Sequence, residues 1–188
     1  LQQGGTLIVD EAAFTSKGLE QAGYETNPLE DDSLSSYQLI KVDITKLTRN
    51  AVEACRTPDG KKLSPKIADR CRNFVAMGLV YWLYGRSLDP TLRFIQTKFA
   101  KKPEIVEANT NALKAGWNYG ETTDAFVSSF KVDRAKLPEG KYRNMMGNEA
   151  LAWGLVAAAK LSGKDLFLGS YPITPASDIL HYLASFKN

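Results

Sequence analysis

The sequence predicts an α/β protein organised in two units. Its first part combines a β-branched apolar run, Thr6–Val9, with longer segments whose apolar residues recur every three or four positions. The run is typical of a buried strand and the recurring spacing is typical of amphipathic helices. Residues 121–146 show neither the apolar run of a strand nor the three- or four-residue spacing of a helix, and they are rich in charged side chains. This segment therefore predicts a linker. A second helical pattern begins at Gly147.

Two strands are expected near the start of the chain. Thr6–Val9 follows two glycines and is apolar at consecutive positions, which indicates a strand buried on both faces. Tyr37–Ile44 predicts the second strand. The intervening segment, Gly23–Ser36, is rich in Asn, Pro, Asp and Ser and therefore predicts a loop.

The next segment predicts a helix with a recognisable start and stop. Thr45 or Thr48 can cap a helix that runs through Ala54, because threonine side chains accept hydrogen bonds from the first helical amides. The Thr57–Gly60 sequence, Thr-Pro-Asp-Gly, is typical of a turn and ends this helix.

Three further helices are expected before the linker. Ser64–Pro65 supplies an N-cap and a first helical residue for the strongest helical pattern in the chain, which ends at Gly85. Asp89–Pro90 repeats the same start signal. Pro103 begins the third helix, for which Gly116 is the candidate C-cap.

The last unit predicts one helix, one strand and one helix. These are Gly147–Leu161, which is rich in small residues and suited to packing on a sheet, Leu166–Leu168, and a second helix from about Pro175 to Phe186. One strand cannot build the core of a doubly wound domain. The sequence is therefore expected to be truncated, at both ends.

Composition excludes several functional classes. The chain of 188 residues carries a net charge of only +3, which does not fit a dedicated nucleic-acid-binding protein. Its densest basic stretch, Lys61 to Arg72, predicts a solvated helix face in preference to an anion site. No run approaches the roughly 18 to 20 apolar residues that span a bilayer. Cys55 and Cys71 are the only cysteines and form no Cys-x-x-Cys motif, so the chain holds no zinc or iron–sulfur motif of its own.

The segment Gly169–Ser177 predicts a ligand-binding loop. Its residues predict a strand that leaves the sheet, a loop stiffened by two prolines, and a helix with Thr174 as N-cap and Pro175 as first residue. Ligands of open α/β sheets bind at this edge, where helix N-termini offer free N–H groups. The residues alone are equally compatible with a proline-braced turn and a capping threonine.

A resemblance to a known family favours the ligand-binding alternative. The residues Tyr171-Pro172-Ile173-Thr174-Pro175 resemble the Tyr-Pro-Ile-Thr-Pro signature of the pyruvate- and 2-oxoglutarate:ferredoxin oxidoreductases, and Gly147–Ala152 resembles the start of the same domain in that family. The resemblance implies that Thr174 is catalytic and faces the reactive end of thiamine diphosphate and its substrate. It also implies that Tyr171, Pro172, Ile173 and Pro175 shape the cofactor-binding loop.

The resemblance extends over nearly the whole chain. Four earlier segments are similar to the late part of the family's gamma-type domain: Gly4–Val9, Ala22–Leu29, Lys98–Pro103 and Ala115–Glu121. The resemblance implies that residues 1–120 are the C-terminal part of a gamma-type α/β domain and that 121–146 are a linker. Residues 147–188 would begin an alpha-type, thiamine-diphosphate-binding domain of the doubly wound pyrimidine type. This order resembles the fused subunit typical of 2-oxoglutarate:ferredoxin oxidoreductases.

The activity implied is oxidative decarboxylation of a 2-oxoacid to an acyl-CoA, with electrons passed to ferredoxin. The fused order favours 2-oxoglutarate, and pyruvate or a branched-chain 2-oxoacid remains the alternative. In this family a beta-type partner subunit binds most of the magnesium–thiamine diphosphate and carries the iron–sulfur cluster. The resemblance thus implies a cytoplasmic hetero-oligomer, inactive as this chain alone, that meets a 2-oxoacid, coenzyme A and ferredoxin.

A non-catalytic interaction module is the rival hypothesis. In that case the helices of residues 45–120 dock a partner subunit and the chain performs no chemistry. Aromatic residues are enriched at the centres of interfaces. The candidates for such anchors are Tyr81, Trp82, Tyr84 and Trp117.

Overall fold

The computed structural model describes residues 2–123, 126 and 129–186, and it divides the chain into two compact units. Unit 1 comprises Leu1–Arg134 and unit 2 comprises Ala135–Asn188. This division falls inside the predicted linker. The predicted domain limits at residues 120 and 147 stay a prediction.

Unit 1 begins with a two-stranded parallel sheet. Strand β1 (Thr6–Asp10) pairs with β2 (Gln38–Val42) in a register that places Thr6 opposite Gln38 and Asp10 opposite Val42. Helix α1 (Ser16–Gln21) lies in the connection, as a parallel crossover requires. Both strands are confirmed, although β1 is only half-buried and β2 ends at Val42.

Helix α2 (Ile44–Val52) is capped by a residue other than the predicted threonines. The Asp43 carboxylate accepts a hydrogen bond from Lys46 N at 2.8 Å, so the helix starts one residue before Thr45. Thr48 is fully buried inside the helix, where its hydroxyl donates to Ile44 O. The predicted caps at Thr45 and Thr48 are therefore wrong.

The predicted long helix up to Gly85 is two helices, α3 (Pro65–Asp69) and α4 (Arg72–Leu83). Ser64 caps the first of them as predicted, since its hydroxyl accepts from Ile67 N. At the junction the amides of Arg70 and Cys71 bond to carbonyls three residues earlier rather than four, which tightens the backbone. The apolar spacing continues on the same face through this break, so the sequence pattern did not reveal it.

Helices α5 (Asp89–Lys98) and α6 (Pro103–Thr122) complete unit 1. Leu88, not Asp89, is the N-cap of α5. Helix α6 continues six residues past Gly116, so the predicted C-cap there is wrong. Gly116 instead faces α4, where a Cβ atom would lie 2.0 Å from Val75 O. Its lack of a side chain allows the two helices to pack closely.

The core of unit 1 lies where α4 packs on α6 and α2. Its buried members are mostly aliphatic and include both cysteines. They include Val42, Val52, Cys55, Cys71, Val75, Leu79, Leu83, Ala108 and Ala112. Both cysteines are free thiols.

Burial raises the pKa of the Cys71 thiol to about 11, and the nearby Cys55 thiol adds to the shift. Because the folded-state pKa lies above the ordinary value, this group stabilises the fold below about pH 8 and loses that contribution as pH rises through about 11. Urea unfolding should therefore show about 2 kcal/mol less stability at about pH 10.5 than at about pH 8 from this thiol.

Cys71→Ala tests this contribution, because the variant removes this thiol and keeps the other ionisable groups of the chain in place. The variant should lose less stability between the two pH values than the parent does. Equal losses in the two proteins would show that Cys71 does not titrate with a raised pKa.

The first residues of the predicted linker pack on unit 1. The ring of Phe126 is buried with its centroid 5.2 Å from that of Trp82. Phe130 N donates to Leu83 O at 2.6 Å, and its ring stacks on Tyr84. Residues 131–146, all of which the structure describes, form neither helix nor strand and are exposed.

Limited proteolysis should cut this exposed segment first. Trypsin is expected to cleave after Arg134, Lys136, Lys141 or Arg143, because exposed backbone without helix or strand hydrogen bonds enters a protease site at little cost. Mass spectrometry of the first fragments identifies the site. Primary cleavage within α4 or α6 would contradict the division of the chain into two units.

Unit 2 consists of helix α7 (Gly147–Ser162) and helix α8 (Ser177–Ser185), which pack on each other. The first helix is confirmed, and Gly163 ends it with a φ of 67°. The second begins two residues later than predicted. Leu166–Leu168 is not a strand, because the described residues of this unit include no second strand with which it could pair.

In the part of the chain that the structure describes, no helix combines the length and the apolar character needed to cross a bilayer.

Candidate functional site

The candidate site is the loop between α7 and α8 that holds Thr174. Tyr171 and Ile173 are 72% and 47% exposed, and Thr174 and Pro175 are exposed beside them. The structure therefore brings the predicted site residues together on one exposed loop of unit 2, whose sequence is Tyr171-Pro172-Ile173-Thr174-Pro175.

Thr174 is not the cap of α8. The N-cap is Ala176, which makes no side-chain hydrogen bond, and Thr174 begins the turn that precedes the helix. The Thr174–Pro175 peptide bond is cis, and Pro175 lies outside the helix. The predicted capping role is wrong because Asp178 N and Ile179 N donate to the turn carbonyls of Pro175 and Ala176 instead.

Two side chains outside the recognised sequence motif hold this loop. The Ser177 hydroxyl accepts from Ile173 N and donates to Ile173 O, both at 3.1 Å. The Asn148 amide, on the second residue of α7, donates to Pro175 O at 3.0 Å. Sequence reasoning identified neither contact. The only sequence signal for the Asn148 contact was its position within Gly147–Ala152, the segment that resembles the start of the family's domain.

The Thr174 hydroxyl is available to a ligand. Among the described residues it has no hydrogen-bond partner, although its neighbours on both sides are bonded. A hydroxyl can both donate and accept a hydrogen bond, and the exposed residue Ile173 precedes it in the loop. This arrangement fits contact with the polar, reactive part of an organic cofactor or of a small oxoacid.

A magnesium ion would need a cluster of ligating side chains, which the Thr174 hydroxyl alone does not provide. The described residues contain no group of three or more His, Cys, Asp or Glu side chains that could hold a metal ion.

Unit 2 also exposes much apolar surface near the loop. A cavity of about 450 Å³ lies between its two helices and residues 166–168. Phe167 is 91% exposed. The residues that line it are of apolar types and include Val156, Leu166, Leu168, Leu180, Leu183 and Phe186.

The basic stretch of unit 1 is balanced by acids. Arg72 of this stretch lies with its Nη1 4.0 Å from the Asp10 carboxylate. Asp69 within the stretch forms a bidentate pair with Arg49 that lowers the pKa of the Asp69 carboxyl. Lys61 lies 2.7 Å from Asp59. These pairings fit the predicted solvated helix face.

The aromatic residues of the interaction-module hypothesis are largely engaged within unit 1. The Trp82 indole N–H donates to the Glu121 carboxylate at 2.6 Å, and the Tyr81 hydroxyl bonds to the Thr91 hydroxyl at 2.8 Å. Tyr84 stacks on Phe130. Trp117 lines an open cleft of about 680 Å³ beside Trp82. Three of the four candidates thus have internal packing roles.

The mixed α/β architecture agrees with comparisons to known proteins. The chain belongs to the 2-oxoacid:ferredoxin oxidoreductase family, because the family model described as pyruvate ferredoxin/flavodoxin oxidoreductase matches residues 1–119. The resemblance drawn from the sequence is therefore confirmed.

The individual relatives are subunits of such oxidoreductases. The chain is 52% identical over 188 residues to the 2-oxoglutarate oxidoreductase subunit KorA of Mycobacterium tuberculosis, covering 100% of this chain and 28% of that protein. It is 26% identical over 125 residues to subunit alpha of 2-oxoacid:ferredoxin oxidoreductase 1 of Aeropyrum pernix, covering 66% of this chain and 18% of that subunit. The chain thus spans less than a third of the length of these relatives.

A solved structure shares the fold. It is the 2-oxoglutarate:ferredoxin oxidoreductase from Magnetococcus marinus with 2-oxoglutarate, coenzyme A and succinyl-CoA bound. The TM-score is 0.57 at 21% identity, and the match covers 92% of this chain and 29% of that one. The small parallel sheet and the helices therefore match the fold of this enzyme class.

Proposed function

We propose that the chain is part of an enzyme that oxidatively decarboxylates 2-oxoglutarate to an acyl-CoA and passes the electrons to ferredoxin. The observation that carries this proposal is the 52% identity, over the whole chain, to a subunit named for 2-oxoglutarate. The loop in unit 2 supports it, because an exposed hydroxyl is held there between two anchored residues.

The proposed assignment of the units follows the resemblance. Residues 1–120 are the C-terminal part of a gamma-type domain, and residues 147–188 begin a doubly wound domain that binds thiamine diphosphate. The exposed apolar cavity of unit 2 supports this assignment, since apolar surface of this kind is ordinarily covered in a complete domain.

Thiamine diphosphate, when bound, supplies the chemistry by which a 2-oxoacid loses CO2. Within this chain, Thr174 offers its hydroxyl as a hydrogen-bond donor to the cofactor ring region or the 2-oxoacid. Tyr171, Pro172, Ile173 and Pro175 shape the loop around that contact. An aligned donor in such a site stabilises charge that develops during the reaction.

The partners follow from the same proposal. A beta-type subunit binds most of the magnesium–thiamine diphosphate and carries the iron–sulfur cluster, so the working enzyme is a cytoplasmic hetero-oligomer. Ferredoxin, coenzyme A and the 2-oxoacid are its substrates. Pyruvate and branched-chain 2-oxoacids are the alternative substrates that the experiment must separate.

The test is a substrate comparison on the assembled enzyme. The full-length subunit that contains this chain is purified with its partner subunit, and coenzyme A-dependent viologen reduction is followed with 2-oxoglutarate, pyruvate and 2-oxoisovalerate. We expect kcat/KM for 2-oxoglutarate to exceed the others by at least about tenfold.

The 188-residue chain assayed alone is the control, and it should show no turnover. Preference for pyruvate would overturn the substrate assignment. The absence of turnover with every 2-oxoacid, in an enzyme that carries its cofactors, would overturn the function.

A further inference from the structure

We infer that Asn148 is a positioning residue that fixes the loop presenting Thr174, an inference that rests on the proposed function. Its side-chain Nδ2 donates to Pro175 O at 3.0 Å across 27 residues of sequence. Asn148 is half-buried on the second residue of α7, whereas Pro175 lies in the exposed turn before α8. The contact therefore ties the turn to a regular helix.

The loop is anchored on both sides of Thr174. On the N-terminal side, the Ser177 hydroxyl holds both backbone groups of Ile173. On the C-terminal side, Asn148 holds the carbonyl of Pro175. Thr174 itself has no side-chain partner among the residues that the structure describes. The backbone that carries this hydroxyl is consequently held on both sides, while the hydroxyl itself stays open to a ligand.

Asn148 is free for this role because it does not cap its own helix. Met146 occupies the N-cap position of α7 and makes no side-chain hydrogen bond there. The same first turn is held by an ion pair between Arg143 and Glu149 at 3.0 Å. A side-chain amide donor on a regular helix can hold a neighbouring loop in one conformation. Catalysis depends on such support, because reacting groups must be positioned to within a fraction of an ångström.

The chemistry of the side chain gives a sharp test. Asn148→Asp keeps the shape but places a carboxylate oxygen against the Pro175 carbonyl, which replaces a donor by an acceptor. Asn148→Ala removes the donor without adding charge and serves if the Asp variant fails to assemble. Asn144→Asp is the matched control, because Asn144 is exposed and makes no side-chain hydrogen bond among the described residues.

Two measurements on the full-length, assembled enzyme separate the possibilities. Amide hydrogen exchange in the peptide covering residues 169–176 reports on the loop without any turnover, and steady-state kinetics report on kcat and KM. We expect Asn148→Asp and Asn148→Ala to speed exchange in this peptide about three- to tenfold, the scale of one lost hydrogen bond. We expect kcat to fall about tenfold with the KM for coenzyme A unchanged. Asn144→Asp should change neither.

Combining Asn148→Ala with Thr174→Val tests whether the first residue acts through the second. The double variant should be no slower than Thr174→Val alone. Additive losses, or unchanged loop exchange in both Asn148 variants, would overturn the positioning role. Normal kcat for Thr174→Val together with faster loop exchange in the Asn148 variants would instead overturn the proposed site, while the contact between Asn148 and Pro175 would still hold the loop.

Discussion

Replacing Thr174 by Val in the assembled enzyme should lower turnover by roughly ten- to a thousandfold. Valine keeps the shape of threonine and removes only the hydroxyl. The expected loss corresponds to about 1.4 to 4 kcal/mol of transition-state stabilisation, the scale seen when one hydrogen-bond donor is removed from a reacting centre. Steady-state kinetics with 2-oxoglutarate measure it directly.

The structure makes this substitution a clean test. Thr174 does not cap α8, so its hydroxyl contributes no cap hydrogen bond and the melting temperature should stay unchanged. Thr174→Ser is the control, because it retains the hydroxyl and should retain most of the turnover. Wild-type turnover in Thr174→Val would remove the catalytic role, and a lower melting temperature would show that the threonine supports the fold.

Gly116→Ala should destabilise unit 1 by about 3 kcal/mol or more. The added Cβ would lie 2.0 Å from Val75 O and 2.8 Å from Val75 C. These are backbone atoms of α4, so no side chain can rotate away and the two helices must separate at the centre of the core. Urea unfolding followed by circular dichroism gives the change in the free energy of unfolding.

Gly154→Ala is the matched control for this effect. Gly154 is an exposed residue of α7 with no atom within 4 Å of the position where a Cβ would stand. The same chemical change there should stabilise the helix by about 0.5 to 1 kcal/mol. If both glycines respond alike, helix propensity rather than close packing of α4 on α6 determines the result.

Local signals predicted much of the fold. Thr6–Val9, the turn at Gly60 and the Ser64 cap depend on a few adjacent residues, and the structure places each as expected. Features set by distant contacts were missed. Gly116 is a residue type that often ends helices, but here it allows two helices to pack closely. Leu166–Leu168 has the apolar sequence of a strand but lacks a neighbouring strand among the described residues.

In the candidate site, too, the sequence predicted the local features and missed a contact between distant residues. The residues Tyr171–Pro175 identified the loop because their sequence is specific, and the structure shows them together and exposed. The contact from Asn148 to Pro175 joins residues 27 positions apart. No periodicity or turn preference encodes such a contact, because it exists only when α7 and α8 pack together.

The most direct test of the central claim is the position of the Thr174 hydroxyl in the assembled enzyme. A crystal structure of the full-length subunit with its partner, thiamine diphosphate and a 2-oxoacid gives this distance. We predict that Thr174 Oγ1 lies within about 3.5 Å of a polar atom of the cofactor ring region or of the 2-oxoacid. A hydroxyl farther than about 6 Å from both, with no single water bridging them, would contradict the account.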